Sequence, residues 1–103
     1  MSKITLIAKM TAVDGKVEEL DAALSALAAA GDEEAGLEIY SFHRSRDEAN
    51  VIYAFELYTD EAALAAHGKG ETMRAAMGAM GGLLAGRPDV MLLDPVAAKG
   101  LDI

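Results

Sequence analysis

Alternation of apolar and other residues at the start of the chain predicts a β-strand from Lys3 to Ala12. Every second position of this segment is apolar: Ile4, Leu6, Ala8, Met10 and Ala12. Because successive side chains of a strand point to opposite faces, this period of two gives one strongly apolar face. Two further strands are predicted, Leu37–Arg46 and Val51–Tyr58, and the polar residues 47–50 between them indicate a hairpin. A short apolar run, Val90–Leu93, predicts a fourth strand.

Apolar residues at steps of three and four predict helices between these strands. The first runs from Lys16 to about Ala30 and carries one stripe: Val17, Leu20, Leu24 and Leu27. A second follows strand three, where Thr59 or Asp60 can accept a hydrogen bond from the first turn. The glycines of residues 68–70 predict a break, and a third helix is predicted from about Glu71 to Leu84.

The order β-α-β-β-α-α-β predicts an α+β fold with the ferredoxin-like split βαβ arrangement. An antiparallel sheet carries the helices on one side. The chain is predicted to be a single domain over residues 1–103, with its core in residues 3–96 and a C-terminal tail in residues 97–103. The other face of the sheet is too apolar for water, so we expect a homodimer whose sheets pack face to face.

Composition narrows the classes of function. The chain has 103 residues and a net charge of −8, which argues against a nucleic-acid backbone or an anionic membrane as partner. It has no cysteine, so disulfides, thiolate nucleophiles and zinc–cysteine sites are excluded. The first residues lack a signal-peptide pattern, and no apolar run reaches transmembrane length. We therefore expect a soluble cytoplasmic protein.

A phenol and an imidazole at the corner between strand three and the second helix are the best lead to chemistry. Tyr58 ends the strand, and His67 follows two turns into the helix. A neutral imidazole can take a proton from a phenolic hydroxyl near neutral pH. The alternative interpretation is that His67 caps its helix by hydrogen bonding the last carbonyl groups before Gly68.

Glu56 is unusual because it lies in the middle of an apolar strand. It alternates onto the face of Tyr58, and a buried carboxylate needs a partner such as Arg44 or Lys9. The pair would be a structural ion pair, or Glu56 would orient His67 or the substrate.

Five further residues are candidates for substrate binding: Tyr40, Tyr53, Met73, Met77 and Arg74. The two tyrosines can stack on an aromatic ring or fill the core. The methionines share a helical stripe, which suits a core or the wall of a cavity for flat ligands. Arg74 and Arg87 are potential anion anchors, or else solvated surface residues. The acidic run of residues 32–34 is interpreted as a solvated connection, and no metal site or phosphate-binding loop is predicted.

Several local patterns occur together in one order: residues 14–20, residues 34–40, the aromatic strand Tyr53–Tyr58, the acidic helix start Asp60–Leu64, and His67. In this order they resemble the antibiotic biosynthesis monooxygenase family of dimeric α+β barrels. The resemblance implies a homodimer with a cavity in each subunit between sheet and helices. Members of that family include oxygenases of quinols and polycyclic phenols that use no metal or flavin. Others degrade heme, isomerise small phosphorylated sugars or have no known substrate.

The resemblance leads to a specific prediction. The heme-degrading members carry a heme-ligating histidine where this chain has Met77, so that route is not expected. We predict a cofactor-independent monooxygenase that acts with O₂ on a quinol or polycyclic phenol. His67 would accept the proton, while Tyr58 and Glu56 would orient the small aromatic substrate. The alternatives are an isomerase of a small hydroxy-carbonyl metabolite and a non-catalytic small-molecule-binding module.

Overall fold

The computed structural model describes residues 2–103 and contains one four-stranded sheet with three helices. In chain order the elements are β1 (Ile4–Thr11), α1 (Val17–Ala30), β2 (Leu37–Arg44), β3 (Val51–Tyr58), α2 (Glu61–Lys69), α3 (Glu71–Met80) and β4 (Asp89–Leu93). A 3₁₀ turn, Gly31–Glu33, follows α1. The strands run antiparallel in the order β2-β3-β1-β4. The predicted α+β ferredoxin-like fold is confirmed.

The pairing register brings one apolar face of the sheet together beneath the helices. Ala54 of β3 pairs with Ala8 of β1 on one side and with Phe42 of β2 on the other. Leu20 and Leu24 of α1 are buried in the same cluster as Ala8. Since side chains alternate along each strand, the residues two positions away also face the helices. The predicted apolar face of β1 is therefore the core face.

Hydrogen bonds at the end of β2 explain why that strand is shorter than predicted. It ends at Arg44 instead of Arg46. The hydroxyl oxygen of Ser45 accepts hydrogen bonds from the backbone N–H groups of Asp47 (3.2 Å) and Glu48 (3.1 Å). This local alternative to the ladder begins the turn two residues early.

The structure also resolves how α2 begins and ends. The side chain of Asp60 accepts a hydrogen bond from the backbone N–H of Ala63 at 2.8 Å, so Asp60 is the N-cap. Thr59 instead donates to Glu38 at 2.5 Å. The helix continues through Gly68 and ends at Lys69, and α3 begins at Glu71. The predicted break is therefore confined to Gly70.

The third helix is shorter than predicted, because it ends at Met80 and not at Leu84. Gly81 and Gly82 follow, and glycine weakens a helix. Leu84 instead forms a bridge with Ala12, directly after β1. This bridge turns the chain back toward the sheet before β4.

Close backbone approaches fix the connection between α1 and β2. A Cβ atom on Gly31 would lie 2.6 Å from Cδ2 of Tyr40, and one on Gly36 would collide with the Cβ atom of Ala63 in α2. The backbone N–H of Thr59 also donates to the carbonyl oxygen of Gly36 at 2.9 Å. Residues 31–36 are therefore held against both β2 and α2.

The C-terminal tail returns to the start of β1. Nζ of Lys3 donates to the carbonyl oxygen of Asp102 and pairs with Glu38 at 2.8 Å. No helix within residues 2–103 combines the length and the apolar character that crossing a bilayer requires.

Substitution of Gly36 by alanine tests the close approach to α2. We expect Gly36→Ala to lower the free energy of unfolding by about 1–3 kcal/mol, because Ala63 cannot yield without moving its backbone. Gly78→Ala is the control, since a Cβ there meets nothing within 4 Å. It should raise stability by about 0.5–1 kcal/mol, because alanine favours the helix. Urea unfolding of both variants measures the difference, and equal effects would contradict the packing described here.

Candidate active site

A cavity of about 320 Å³ lies between the sheet and the helices α2 and α3. Most of its wall is apolar and comes from the sheet and the helices, including Leu6, Leu27, Phe42, Met73, Met77 and Met80. Its polar side chains are Tyr40, Glu56, Tyr58 and His67. Register explains part of this grouping, because Glu56 of β3 pairs directly with Tyr40 of β2. The cavity therefore combines an apolar wall with one polar cluster.

His67 is the most constrained member of this cluster. Its side chain is 6% exposed, and its Nδ1 lies 2.9 Å from Oε1 of Glu34. Its Nε2 is buried and has no hydrogen-bond partner among residues 2–103, and Oε1 of Glu56 lies 3.9 Å from it. The interpretation that His67 caps α2 is wrong, because the ring bonds to Glu34 instead of the last carbonyl groups. A buried nitrogen without a partner is rare in proteins and is a natural contact for a ligand.

Glu56 has a different partner from the one predicted. The hydroxyl of Tyr58 donates a hydrogen bond to its Oε1. The prediction of Arg44 or Lys9 is wrong. Arg44 is bonded to Asp21 of α1 at 2.8 Å, and Lys9 belongs to the opposite face of the sheet.

Burial raises the pKa of Glu56. The hydrogen bond from Tyr58 and the charge of His67 oppose that rise in pKa, while the negative charge of Glu34 adds to it. Burial dominates because an apolar environment disfavours the ionised form. Glu56 in the folded protein therefore stays protonated to a higher pH than an exposed carboxyl group does.

The two tyrosines of the cluster flank the imidazole. The ring centroid of Tyr40 lies 5.3 Å from that of His67 in an edge-on arrangement, and Tyr58 lies at 5.6 Å. Burial raises the pKa of both phenols, and the negative charge of Glu56 raises it further. Both therefore stay protonated at neutral pH, which leaves the proton-accepting role to other groups.

The other predicted ligand-binding residues divide into two groups. Met73 and Met77 line the cavity, and Met77 is 47% exposed. Tyr53 and Arg74 do not line it. Tyr53 pairs with Lys9 and so lies on the other face of the sheet, while Arg74 is exposed on α3. The structure thus brings the methionines to the site but not the outer tyrosine or the arginine.

Glu34 is the residue that sequence reasoning missed. The acidic run of residues 32–34 was interpreted as a solvated connection, and for Glu34 this is wrong. Its side chain is 29% exposed and contacts His67, 33 positions along the chain. No local pattern distinguishes it from Glu33, because the contact depends on how the connection packs against α2.

A second groove, of about 400 Å³, lies between α1 and β2. Its charged residues, Asp21 and Arg44, are bonded to each other and partly exposed. It therefore lacks the buried polar atom without a partner that marks the cavity at His67. Within residues 2–103, no three or more His, Asp or Glu side chains are grouped to hold a metal ion.

The raised pKa of Glu56 predicts a specific pH dependence of stability. A carboxyl group with a raised folded-state pKa stabilises the fold at low pH, and this contribution is lost as pH rises through that pKa. Glutamine cannot ionise, so Glu56→Gln does not lose this stability as pH rises. We expect the stability of Glu56→Gln relative to the wild type, measured by urea unfolding, to increase as pH rises above the ordinary carboxyl pKa of about 4.3.

Glu38→Gln is the matched control with the opposite sign. Hydrogen bonds from Lys3 and then from Thr59 lower the pKa of Glu38. Its contribution to stability is present above the ordinary carboxyl pKa and is lost as pH falls. The relative stability of Glu38→Gln should therefore decrease as pH rises. Parallel trends in the two variants would contradict the assignment for Glu56.

Comparison with known proteins agrees with this architecture. The family model for antibiotic biosynthesis monooxygenase matches residues 3–79. A Caulobacter crescentus protein that carries the same family name is 33% identical, with a TM-score of 0.88, and the match covers 93% of this chain and 92% of that one. A Pseudomonas aeruginosa protein is 32% identical, with a TM-score of 0.85 and coverage of 94% and 97%. Among curated proteins, none matches. This chain belongs to the antibiotic biosynthesis monooxygenase family.

Proposed function

We propose that this protein is a cofactor-independent monooxygenase that oxygenates a quinol or a related polycyclic phenol with O₂. The observation that supports this proposal is the buried Nε2 of His67, which has no hydrogen-bond partner in the described part of the chain and belongs to a largely apolar cavity. A phenolic hydroxyl would satisfy that nitrogen and transfer its proton to it. Membership of the family supports the same general chemistry.

The reaction needs no external reductant, because the quinol supplies every electron. His67 accepts the phenolic proton, and the resulting phenolate is poorly solvated in the apolar cavity. An electron-rich phenolate then donates an electron to O₂, and recombination of the two radicals forms the new carbon–oxygen bond. Loss of water completes the sequence, so that quinol and O₂ give a hydroxyquinone and water. Glu56, hydrogen bonded by Tyr58, forms a polar boundary beside His67.

The charge of the cavity favours an uncharged substrate. Among the described residues that line it there is no lysine or arginine, while Glu56 is a potential negative charge. An isomerase of a phosphorylated or carboxylated metabolite would need a cationic anchor. Arg74 and Arg87, the candidates for that role, are exposed and lie outside the cavity wall. This observation favours the quinol over the isomerase alternative.

Oxygen uptake tests the proposal. Metal-stripped protein is mixed with reduced naphthoquinones and anthrones, and uptake is compared with autoxidation in its absence. We expect enzyme-dependent uptake with an oxygenated product, and a fall of about 10²-fold or more in His67→Ala, because the proton acceptor is lost. His43→Ala is the matched control, since His43 is the other histidine of the chain and is exposed on β2.

Each result bears on a different part of the proposal. Full activity in folded His67→Ala would refute its role as base. Ligand binding without oxygen uptake across the panel would favour the binding-module alternative. Uptake that requires added metal or flavin would refute the cofactor-independent route.

We also infer that the protein acts as a homodimer. The apolar residues of the edge strand β4 are exposed in the single chain: Val90, Met91, Leu92 and Leu93, at 42–57%. Met91 pairs with Ile7 on the sheet face opposite the helices. Exposed apolar surface of this kind marks an interaction site. A second copy of the sheet would cover it.

A charge on the outer face should separate the subunits. We expect the wild type to sediment at twice the chain mass of 10.8 kDa, and Met91→Glu to sediment as a monomer. The substitution should weaken the dimer because the interface would bury the new carboxylate without a partner. Ala22→Glu, at an exposed position on α1, is the control and should remain dimeric. A monomeric wild type would rule out this assembly.

A further inference from the structure

We propose that Glu34 is a positioning residue that fixes the tautomer of His67, with the proton on Nδ1 and the lone pair of Nε2 free for a ligand. The structural part of this inference concerns only the two side chains. Its consequence for turnover rests on the proposed oxygenase function.

The hydrogen bond between Glu34 and His67 can have only one direction. An ionised carboxylate only accepts hydrogen bonds, so at 2.9 Å from Oε1 of Glu34 the Nδ1 atom of His67 must be the donor. A neutral imidazole carries one ring proton. Once Nδ1 holds that proton, Nε2 is the unprotonated nitrogen and can act as an acceptor.

No described residue near Nε2 favours the other tautomer of His67. Oε1 of Glu56 is 3.9 Å from Nε2, which is too long for a hydrogen bond, and that oxygen already accepts one from Tyr58. Nε2 has no other partner among the described residues. The tautomer is therefore decided by the bond at Nδ1 alone, as second partners of histidine generally decide it.

The connection that carries Glu34 is built to hold it in place. The backbone N–H of Glu34 donates to the carbonyl oxygen of Gly31, and the N–H of Leu37 donates to the carbonyl oxygen of Glu34, both at 3.0 Å. Gly36 packs directly on Ala63, one turn before His67 in the same helix. The acid and the imidazole are thus attached to two segments in direct contact.

Neighbouring aromatic rings restrict the imidazole. Tyr40 meets it edge-on and Tyr58 at a tilt of 56°. A 180° flip of the ring about its Cβ–Cγ bond would put the carbon Cδ2 in the place of Nδ1, break the bond to Glu34 and disturb both contacts. The orientation seen here is therefore the one in which Nε2 stays available.

The same contact has a role during turnover. After Nε2 takes a proton, the imidazolium keeps its bond from Nδ1 to a carboxylate, which stabilises the new charge. Glu34 does not line the cavity. Its loss should therefore lower kcat and leave KM largely unchanged, because substrate contacts are retained.

Nitrogen NMR of the histidine rings tests the structural inference without any substrate. The chain has only two histidines, so long-range ¹H–¹⁵N spectra contain two ring systems, and His43 is an internal reference. At a pH where both rings are neutral, we expect wild-type His67 to carry its proton on Nδ1. Glu34→Ala should give a mixture with protonation on Nε2. Glu33→Ala, which alters the exposed neighbour in the same turn, should retain the wild-type pattern.

A proton on Nε2 of wild-type His67 would overturn the inference even if no variant folded. So would an unchanged tautomer in folded Glu34→Ala. In the oxygen-uptake assay, Glu34→Ala should lose about tenfold or more in kcat, a smaller loss than removal of the base itself. The expected tautomer in a protein without oxygenase activity would sustain this inference while the proposed function failed. An active enzyme with the wrong tautomer would do the reverse.

Discussion

Packing of the helices against a single face of the sheet constrains the rest of the structure. Most side chains of β1 and β3 on that face enter the core or line the cavity, because side chains alternate between the two faces of a strand. Ala54 and Ile52 of β3 are buried in the core. Glu56 and Tyr58, farther along the same strand, line the cavity. The alternation of side chains along β3 thus supplies both core residues and residues of the polar cluster.

The polar cluster survives burial because most of its groups satisfy one another. Tyr58 donates to Glu56, and Oε1 of Glu34 lies within hydrogen-bond distance of Nδ1 of His67. A partly satisfied buried network costs stability, since a polar atom without a partner has lost its water. Nε2 of His67 is the atom left over. It is also the atom that the substrate would contact in the proposed function.

The two faces of the sheet have different roles. The helix-covered face holds the cavity, whereas β4 and the outer face expose apolar side chains such as Met91. Pro88 and Val90, at the start of β4, also line the cavity. A second subunit on β4 would therefore lie close to the site, which links the proposed assembly to the proposed chemistry.

Sequence periodicity determined the element order, the core face of β1 and the placement of Glu56, Tyr58 and His67 near one corner. These features depend on local patterns, which a single chain segment displays by itself. The partners of Glu56 and His67 were decided only by tertiary structure. Arg44 bonds to α1, and Glu34 comes from a connection with no distinctive pattern. Such contacts join residues far apart in the chain, so their geometry exists only after sheet, helices and connection have packed together.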